Sequence, residues 1–197
     1  MTALTMKKSF EQEDRLNLGP KKFLMWLFVI TSFMIFAALT SGFIVYTAGD
    51  PSRGIKMILP NVFKWSSAAI LLSSVTMHLA YKSAKELQFG KQRLFLILTV
   101  LLGVLFFALQ LRSWQIFVEN GVYFVNPNAS QSFLYVLTGV HLFHILAGLI
   151  MLLTAFFGSL KNIPQVRNMF RMEISSIFWH FLDILWIYLY VFLLLNQ

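Results

Sequence analysis

Five runs of apolar residues, each long enough to cross a hydrocarbon layer as a helix, constrain this chain more than any other feature of its sequence. They are Phe23 to Thr47, Val62 to Tyr81, Leu94 to Phe117, Phe133 to Phe157 and Ile174 to Leu195. A helix rising about 1.5 Å per residue needs roughly 20 residues to span about 30 Å of acyl chain. Backbone in lipid must close its own hydrogen bonds, so such runs are helices or barrel strands, and these lack the polar and apolar alternation of a barrel. The expected fold class is an all-α integral membrane protein, a five-transmembrane-helix bundle. Residues 21–197 then form one domain behind a leader of residues 1–20. The composition agrees, because 12% charged residues is too little for a soluble surface, which carries about a quarter. The 21 Phe, 5 Trp and 6 Tyr also exclude a disordered chain.

The 16 Lys and Arg exceed the 8 Asp and Glu, yet their positions matter more than their sum. Twelve of the basic residues fall on the N-terminal side of the predicted bundle, in the leader and in the second and fourth connections. Four fall on the other side: Arg53, Lys56, Lys64 and Arg112. Loops retained in the cytoplasm keep Lys and Arg during insertion, so the N-terminus is expected in the cytoplasm and the C-terminus outside. The excess charge is topogenic, and nucleic acid is not an expected partner. The first run is too long for a signal peptide and is expected to be retained. With no Cys in the chain, disulfides, thiolate metal sites and cysteine nucleophiles are excluded.

Ionisable groups at membrane depth are costly and are by default candidate sites. The candidates are His141 and His144 in the fourth run and His180 and Asp183 in the fifth. Counting along the helices puts His144 roughly 16 Å below the outer boundary and Asp183 roughly 14 Å above the inner one, which is the same level. If the two helices are antiparallel neighbours, Asp183 can pair with His144, and His141 or His180 can join through i, i+3 spacing. Such a cluster serves either as glue between helices or as a proton-handling or cofactor site. Its four His, counting His78, do not form the two-by-two ladder that a bis-haem bundle needs, and mutual hydrogen bonding explains the cluster with fewer assumptions. No catalytic, cofactor-binding or metal-ligating residue is therefore predicted. Near the outer end of the third run, Gln110, Arg112 and Trp114 are candidate contacts for a lipid headgroup, with Glu119 as a partner for Arg112. Small residues at Ala38 and Gly42, Ala69 and Ser73, and Gly139 and Gly148 offer notches for close helix contact.

The wording of the last two runs resembles a known family. Thr138-Gly-Val-His-Leu-Phe-His-Ile-Leu-Ala-Gly148 is similar to the TGxHxxHxxxG helix of subunit III of haem-copper terminal oxidases. Phe178-Trp-His-Phe-Leu-Asp-Ile-Leu-Trp-Ile-Tyr-Leu-Tyr190 resembles its WHFxDxxWxxLY helix, and Met25-Trp26-Leu-Phe28, Met34, Phe36 and Leu109-Gln110 add support. The resemblance implies the short five-helix bacterial form, multi-pass in the cytoplasmic (inner) membrane. It implies an accessory subunit that packs on and stabilises catalytic subunit I beside other oxidase subunits. Haem and copper would lie in those partners and none in this chain. Bound phospholipid and support of proton uptake during reduction of oxygen to water are implied too, and a quinol-oxidising complex is a further candidate partner within a supercomplex. His141, His144, His180 and Asp183 fall on the family's polar positions. Two departures stand out: Ser32 replaces a carboxylate found in many members, and Leu111 and Arg112 follow Gln110 where many members continue with an acidic residue. The alternatives are the subunit III of a quinol oxidase and, from another class, a small proton-coupled carrier using Asp183 and His144 as a relay.

Overall fold

A computed structural model of the chain describes residues 18–50, 53–55, 59–125, 127–160 and 164–196. Among them are five α-helices: α1 (Leu18–Ala48), α2 (Val62–Lys85), α3 (Phe89–Glu119), α4 (Ala129–Leu160) and α5 (Gln165–Leu195). Each contains one of the five predicted runs; α1, α3 and α4 extend beyond their run at both ends, α2 at its end only and α5 at its start only. The apolar run marks what lipid would cover, whereas a helix stops only where a cap or turn ends it. Most of the expected leader, residues 1–17, lies outside the described residues. By length and composition, α1, α3, α4 and α5 are apolar enough to cross a membrane, and α2 falls short.

The helix ends show why the turns are short. After α2, Leu87 takes a positive φ of 61°, its N–H reaches Ala84 O at 3.3 Å, and the N–H of Gln88 reaches Ser83 O at 2.9 Å. These are the two bonds of a Schellman cap, built here on a leucine at a cost of about 1–2 kcal/mol. The end of α3 repeats the device on Gly121, with φ 77° and Val122 N–H on Phe117 O at 2.9 Å. The start of α4 is capped by Asn128, whose Oδ1 accepts the Ser130 N–H at 3.1 Å and so satisfies one of the orphan donors of the first turn.

Bonds between helix ends define an up-and-down order. Gln92 at the start of α3 exchanges amide bonds with Asn168 at the start of α5, at 3.2 and 3.3 Å. Lys22 near the start of α1 pairs with Glu173 of α5. Arg93 of α3 donates to the Ser159 carbonyl at the end of α4 through Nη2 at 2.6 Å, and Gln165 of α5 donates to Ala84 O at the end of α2 at 3.0 Å. Helices α1, α3 and α5 therefore begin at the end of the bundle where α2 and α4 finish. In cross-section α2, α3, α4 and α5 form a four-helix unit with α5 against α2 and α4, while α1 lies outside it across α4 and α5.

The core of the unit is aromatic. Phe63, Phe106, Trp179 and Trp186 are fully buried, with Trp186 stacked on Phe63 at 5.6 Å and met edge-on by Phe106 at 4.9 Å. Trp179 fits only because two facing positions are glycine. A Cβ on Gly103 of α3 would lie 2.7 Å from the Trp179 ring, and one on Gly148 of α4 would lie 3.1 Å from it. We expect Gly103→Val to lower stability by about 1–3 kcal/mol through overpacking, read as a drop in the thermal midpoint of the detergent-solubilised protein. Gly90→Ala, at a position with no atom within 4 Å of the new Cβ, serves as the control and should leave that midpoint in place.

Candidate functional site

The four predicted intramembrane groups lie on facing helices, and the structure places three of them in two separate joints and leaves His141 apart. In α4, His144 Nδ1 donates to the Val140 carbonyl at 2.8 Å. In the neutral ring this leaves Nε2 as an acceptor, and it meets the Ser32 hydroxyl of α1 at 3.2 Å. Ser32 is buried, so the residue that replaces the family's carboxylate faces the bundle interior and joins α1 to α4. Phe28 and Phe36 pack around the same imidazole at 6.0 and 5.6 Å between ring centres.

Asp183 and His180 form the second joint, on the side of α5 that faces α2. Ser74 Oγ of α2 is 2.8 Å from His180 Nδ1, and the Asp183 carboxylate lies 3.7 Å from the same nitrogen. The Asp183 side chain is 5% exposed and that of His180 32%, so the acid is buried and the imidazole beside it is partly open. His78 of α2 stands over His180 with ring centres 6.5 Å apart. The expected pairing of Asp183 with His144 is not present: neither Asp183 oxygen has a hydrogen-bond partner among the described residues. The reason is direction around the helix. Trp179 and Trp186, four and three residues from Asp183, donate to Ser73 and Ser67 of α2 at 2.9 Å each, which turns Asp183 to α2, whereas His144 on α4 is turned to α1.

His141 belongs to neither joint. It is fully buried, stacked on Trp186 at 5.2 Å and met by Phe106 and Phe36 at 5.8 and 6.3 Å, and its two ring nitrogens have no hydrogen-bond partner among the described residues. No group of three or more His, Asp or Glu among the described residues is arranged to hold a metal ion.

Of the predicted outer residues, only Arg112 is wholly on the surface. Gln110 is 1% exposed and donates to Ser66 of α2 at 3.0 Å, so it faces inward. The Trp114 N–H is taken by Thr138 of α4 at 3.1 Å, and its half-buried ring packs over Gly139 of the same helix. Arg112 runs along α3 to Gln115 Oε1 at 2.9 Å and Glu119 at 3.7 Å.

The residues that sequence reasoning missed are hydroxyls. Ser32, Ser67, Ser73 and Ser74, with Thr40 opposite Tyr188 at 2.8 Å and Thr76 opposite Thr99 at 2.8 Å, each supply a polar bond between helices. The readable signal was a seven-residue spacing, Ser66 with Ser73 and Ser67 with Ser74, which returns to one helix face after two turns. The second joint makes an asymmetric prediction. His180→Leu leaves the buried carboxylate without its neighbouring imidazole and is expected to destabilise by on the order of 3 kcal/mol, whereas Asp183→Leu keeps the Ser74 to His180 bond and should be near neutral. Thermal midpoints of the two solubilised variants check this, and equal losses would contradict the geometry.

Known proteins bear on the same residues. The family model described as cytochrome c oxidase subunit III matches residues 13–196. The chain is 31% identical over 194 residues to cytochrome c oxidase subunit 3 of Bacillus sp. (strain PS3), covering 96% of this chain and 92% of that one. It is 33% identical over 172 residues to cytochrome bo(3) ubiquinol oxidase subunit 3 of Pseudomonas aeruginosa, covering 86% and 81%. It is 29% identical over 176 residues to the cytochrome c oxidase subunit 3 of Bacillus subtilis, covering 87% and 84%. With the helix motifs, the all-helical bundle and matches that span nearly the whole chain, the protein belongs to the cytochrome c oxidase subunit III family.

Proposed function

We propose that this subunit III crosses the cytoplasmic membrane of a bacterium five times with its N-terminus inside, packs through α1 on the catalytic subunit I of its oxidase, and retains phospholipid at its outer end. In this reading it supports proton uptake by subunit I during reduction of oxygen to water and turns over no substrate itself. Family membership makes it an accessory part of a haem-copper terminal oxidase, and members of this family bind neither haem nor copper. The observation that carries the scaffold role is the fate of the membrane-depth polar groups. His144, His180, Gln110, Trp179 and Trp186 all bond to a hydroxyl on another helix, which is what holds a bundle together where apolar contact gives no advantage over lipid.

Docking through α1 is supported by its position at the margin. Phe23, Leu24, Phe33 and Met34 are each more than half exposed, a continuous apolar face on the helix with the fewest neighbours in the bundle. Crossing by α2 is supported by its 24 residues and by the way its hydroxyls are consumed. Ser66, Ser67, Ser73 and Thr76 donate to carbonyls three or four residues back, so low hydropathy does not mean unsatisfied polar groups. Similarity to the bo(3) ubiquinol oxidase subunit gives a second reading of the host, in which electrons arrive from quinol.

An affinity-tagged chain is expected to co-purify with a haem-bearing oxidase, visible in a reduced-minus-oxidised spectrum, while the chain alone is colourless and leaves proton flux across liposomes unchanged. Flux carried by the chain alone would favour a carrier instead. Because the chain has no Cys, topology can be read with single cysteines. A membrane-impermeant maleimide should label Gly49→Cys and Tyr123→Cys in intact cells, and Gln88→Cys only after permeabilisation. Labelling of Gly49→Cys and Gln88→Cys from the same side would remove the crossing by α2.

A further inference from the structure

Between its contacts with α1 and α2, helix α5 carries an open strip. His180, Ile184, Ile187, Val191 and Leu195 follow one another at i, i+4, i+7, i+11 and i+15, the spacing of one helix face, and each is half-buried or exposed. At about 1.5 Å per residue the strip is about 22 Å long, and Ile184 near its middle is 71% exposed. On the α2 side, His78 stands over His180, and the exposed Leu71 and Val75 lie three residues before Ser74 and His78. On the α1 side, Tyr188 bonds to Thr40 at 2.8 Å.

The strip is apolar except at His180. There Nδ1 is engaged inside the bundle, 2.8 Å from Ser74 Oγ and 3.7 Å from the Asp183 carboxylate. A carboxylate beside Nδ1 favours the proton on that nitrogen, which leaves Nε2 of the partly open ring as a hydrogen-bond acceptor. We infer that a transmembrane helix of another oxidase subunit packs along this strip and donates a side-chain O–H or N–H to His180 Nε2. A donor facing acyl chains is unsatisfied, so a helix that carries one at this depth gains by meeting an acceptor there. An apolar stripe of this length at helical spacing complements a second helix, whereas a small ligand such as a quinone is held by an enclosing pocket. Asp183 is a positioning residue for the contact. Neither of its oxygens has a hydrogen-bond partner among the described residues, so burying it adds no bond between the helices of this chain, and its effect is on the proton of His180. The inference rests on the accessory-subunit reading above and adds a second contact face, on α5 and α2, with the chemistry of its occupant.

The test uses the purified oxidase complex containing this chain, with a benzophenone maleimide attached at Ile184→Cys, since the chain has no Cys of its own. After irradiation, mass spectrometry of the peptide carrying residue 184 identifies what lies on the strip. The expected adduct is with a membrane-spanning peptide of another subunit that has a side-chain donor within one turn of the attachment point. Val104→Cys, exposed on α3, sets the background of lipid capture. Combined with Ile184→Cys, Asp183→Leu should lower the peptide adduct on the order of fivefold, the loss of one hydrogen bond. Asp183→Asn, which keeps an acceptor beside Nδ1, should retain it. An adduct with lipid or quinone only, or equal peptide yields in Asp183→Leu and Asp183→Asn, overturns the inference. If Asp183→Leu fails to assemble, the identity of the adduct at Ile184→Cys decides by itself. The ratio of this chain to haem in the same samples reports the accessory-subunit reading separately: a chain that never accompanies haem refutes that reading, whereas a haem-bearing complex with lipid adducts only refutes the contact face.

Discussion

A tryptophan inside a helical bundle has to find a slot for its ring and an acceptor for its N–H, and Trp179 finds each on different helices. The slot is cut by Gly103 of α3 and Gly148 of α4, and the acceptor is Ser73 of α2 at 2.9 Å. Four helices therefore meet at one side chain of α5. In lipid there is little gain from apolar contact as such, so close packing and internal hydrogen bonds must hold the helices, and this residue supplies both at once. Two turns further along, Trp186 repeats the bond on Ser67 and stacks on Phe63. The two tryptophans fix the rotation of α5 against α2, and that rotation places Asp183 and His180 beside Ser74.

Helix α1 is attached by other means. It has a bridge near its start in Lys22 with Glu173, one at mid-length in Ser32 with His144, and one toward its far half in Thr40 with Tyr188. Tilted contact of Phe28 with Phe178 at 5.6 Å lies between the first two, and edge-on contact of Phe43 with Phe192 at 5.3 Å lies just beyond the third. A net hydrogen bond is worth about 1 kcal/mol, so three spaced bridges define the register of α1 without burying it. Its remaining face is apolar and uncovered among the described residues.

How much of this was legible in the sequence differs between length, depth and direction. The five helices were legible because the bilayer sets a minimum apolar run, and all five runs are found inside helices. The Arg112 to Glu119 pair was legible too, since both lie near one helix end and seven residues apart. The pairing of Asp183 with His144 was not. Depth along a helix can be counted at about 1.5 Å per residue, but rotation about the axis depends on which neighbour each face meets, and the serines that decide it carry no strong pattern. A hydroxyl bonded to its own helix carbonyl, as in Ser67 on Phe63 O at 2.8 Å, is nearly silent in hydropathy yet still receives a bond from across the interface. Gln110 was misread for the same reason: its depth suggested a headgroup contact, and its azimuth turned it to Ser66.

The spacing of His141 and His144 now has a physical account. Residues three apart on a helix are neighbours with slightly different headings, so one imidazole of the pair points toward the centre of the four-helix unit and the other toward α1. His144 is positioned by hydrogen bonds, to Val140 O and Ser32. His141 is positioned by rings, with Trp186, Phe106 and Phe36 around it. Leaving ring nitrogens unpaired in such a place costs a few kcal/mol, and aromatic pairs return about 0.5–1.5 kcal/mol each beyond their buried area, so three such contacts offset that cost to within its own size. Phe36 touches both imidazoles and belongs to α1, so it links the marginal helix to both histidines. The two histidines thus mark the seam at which the four-helix unit meets α1.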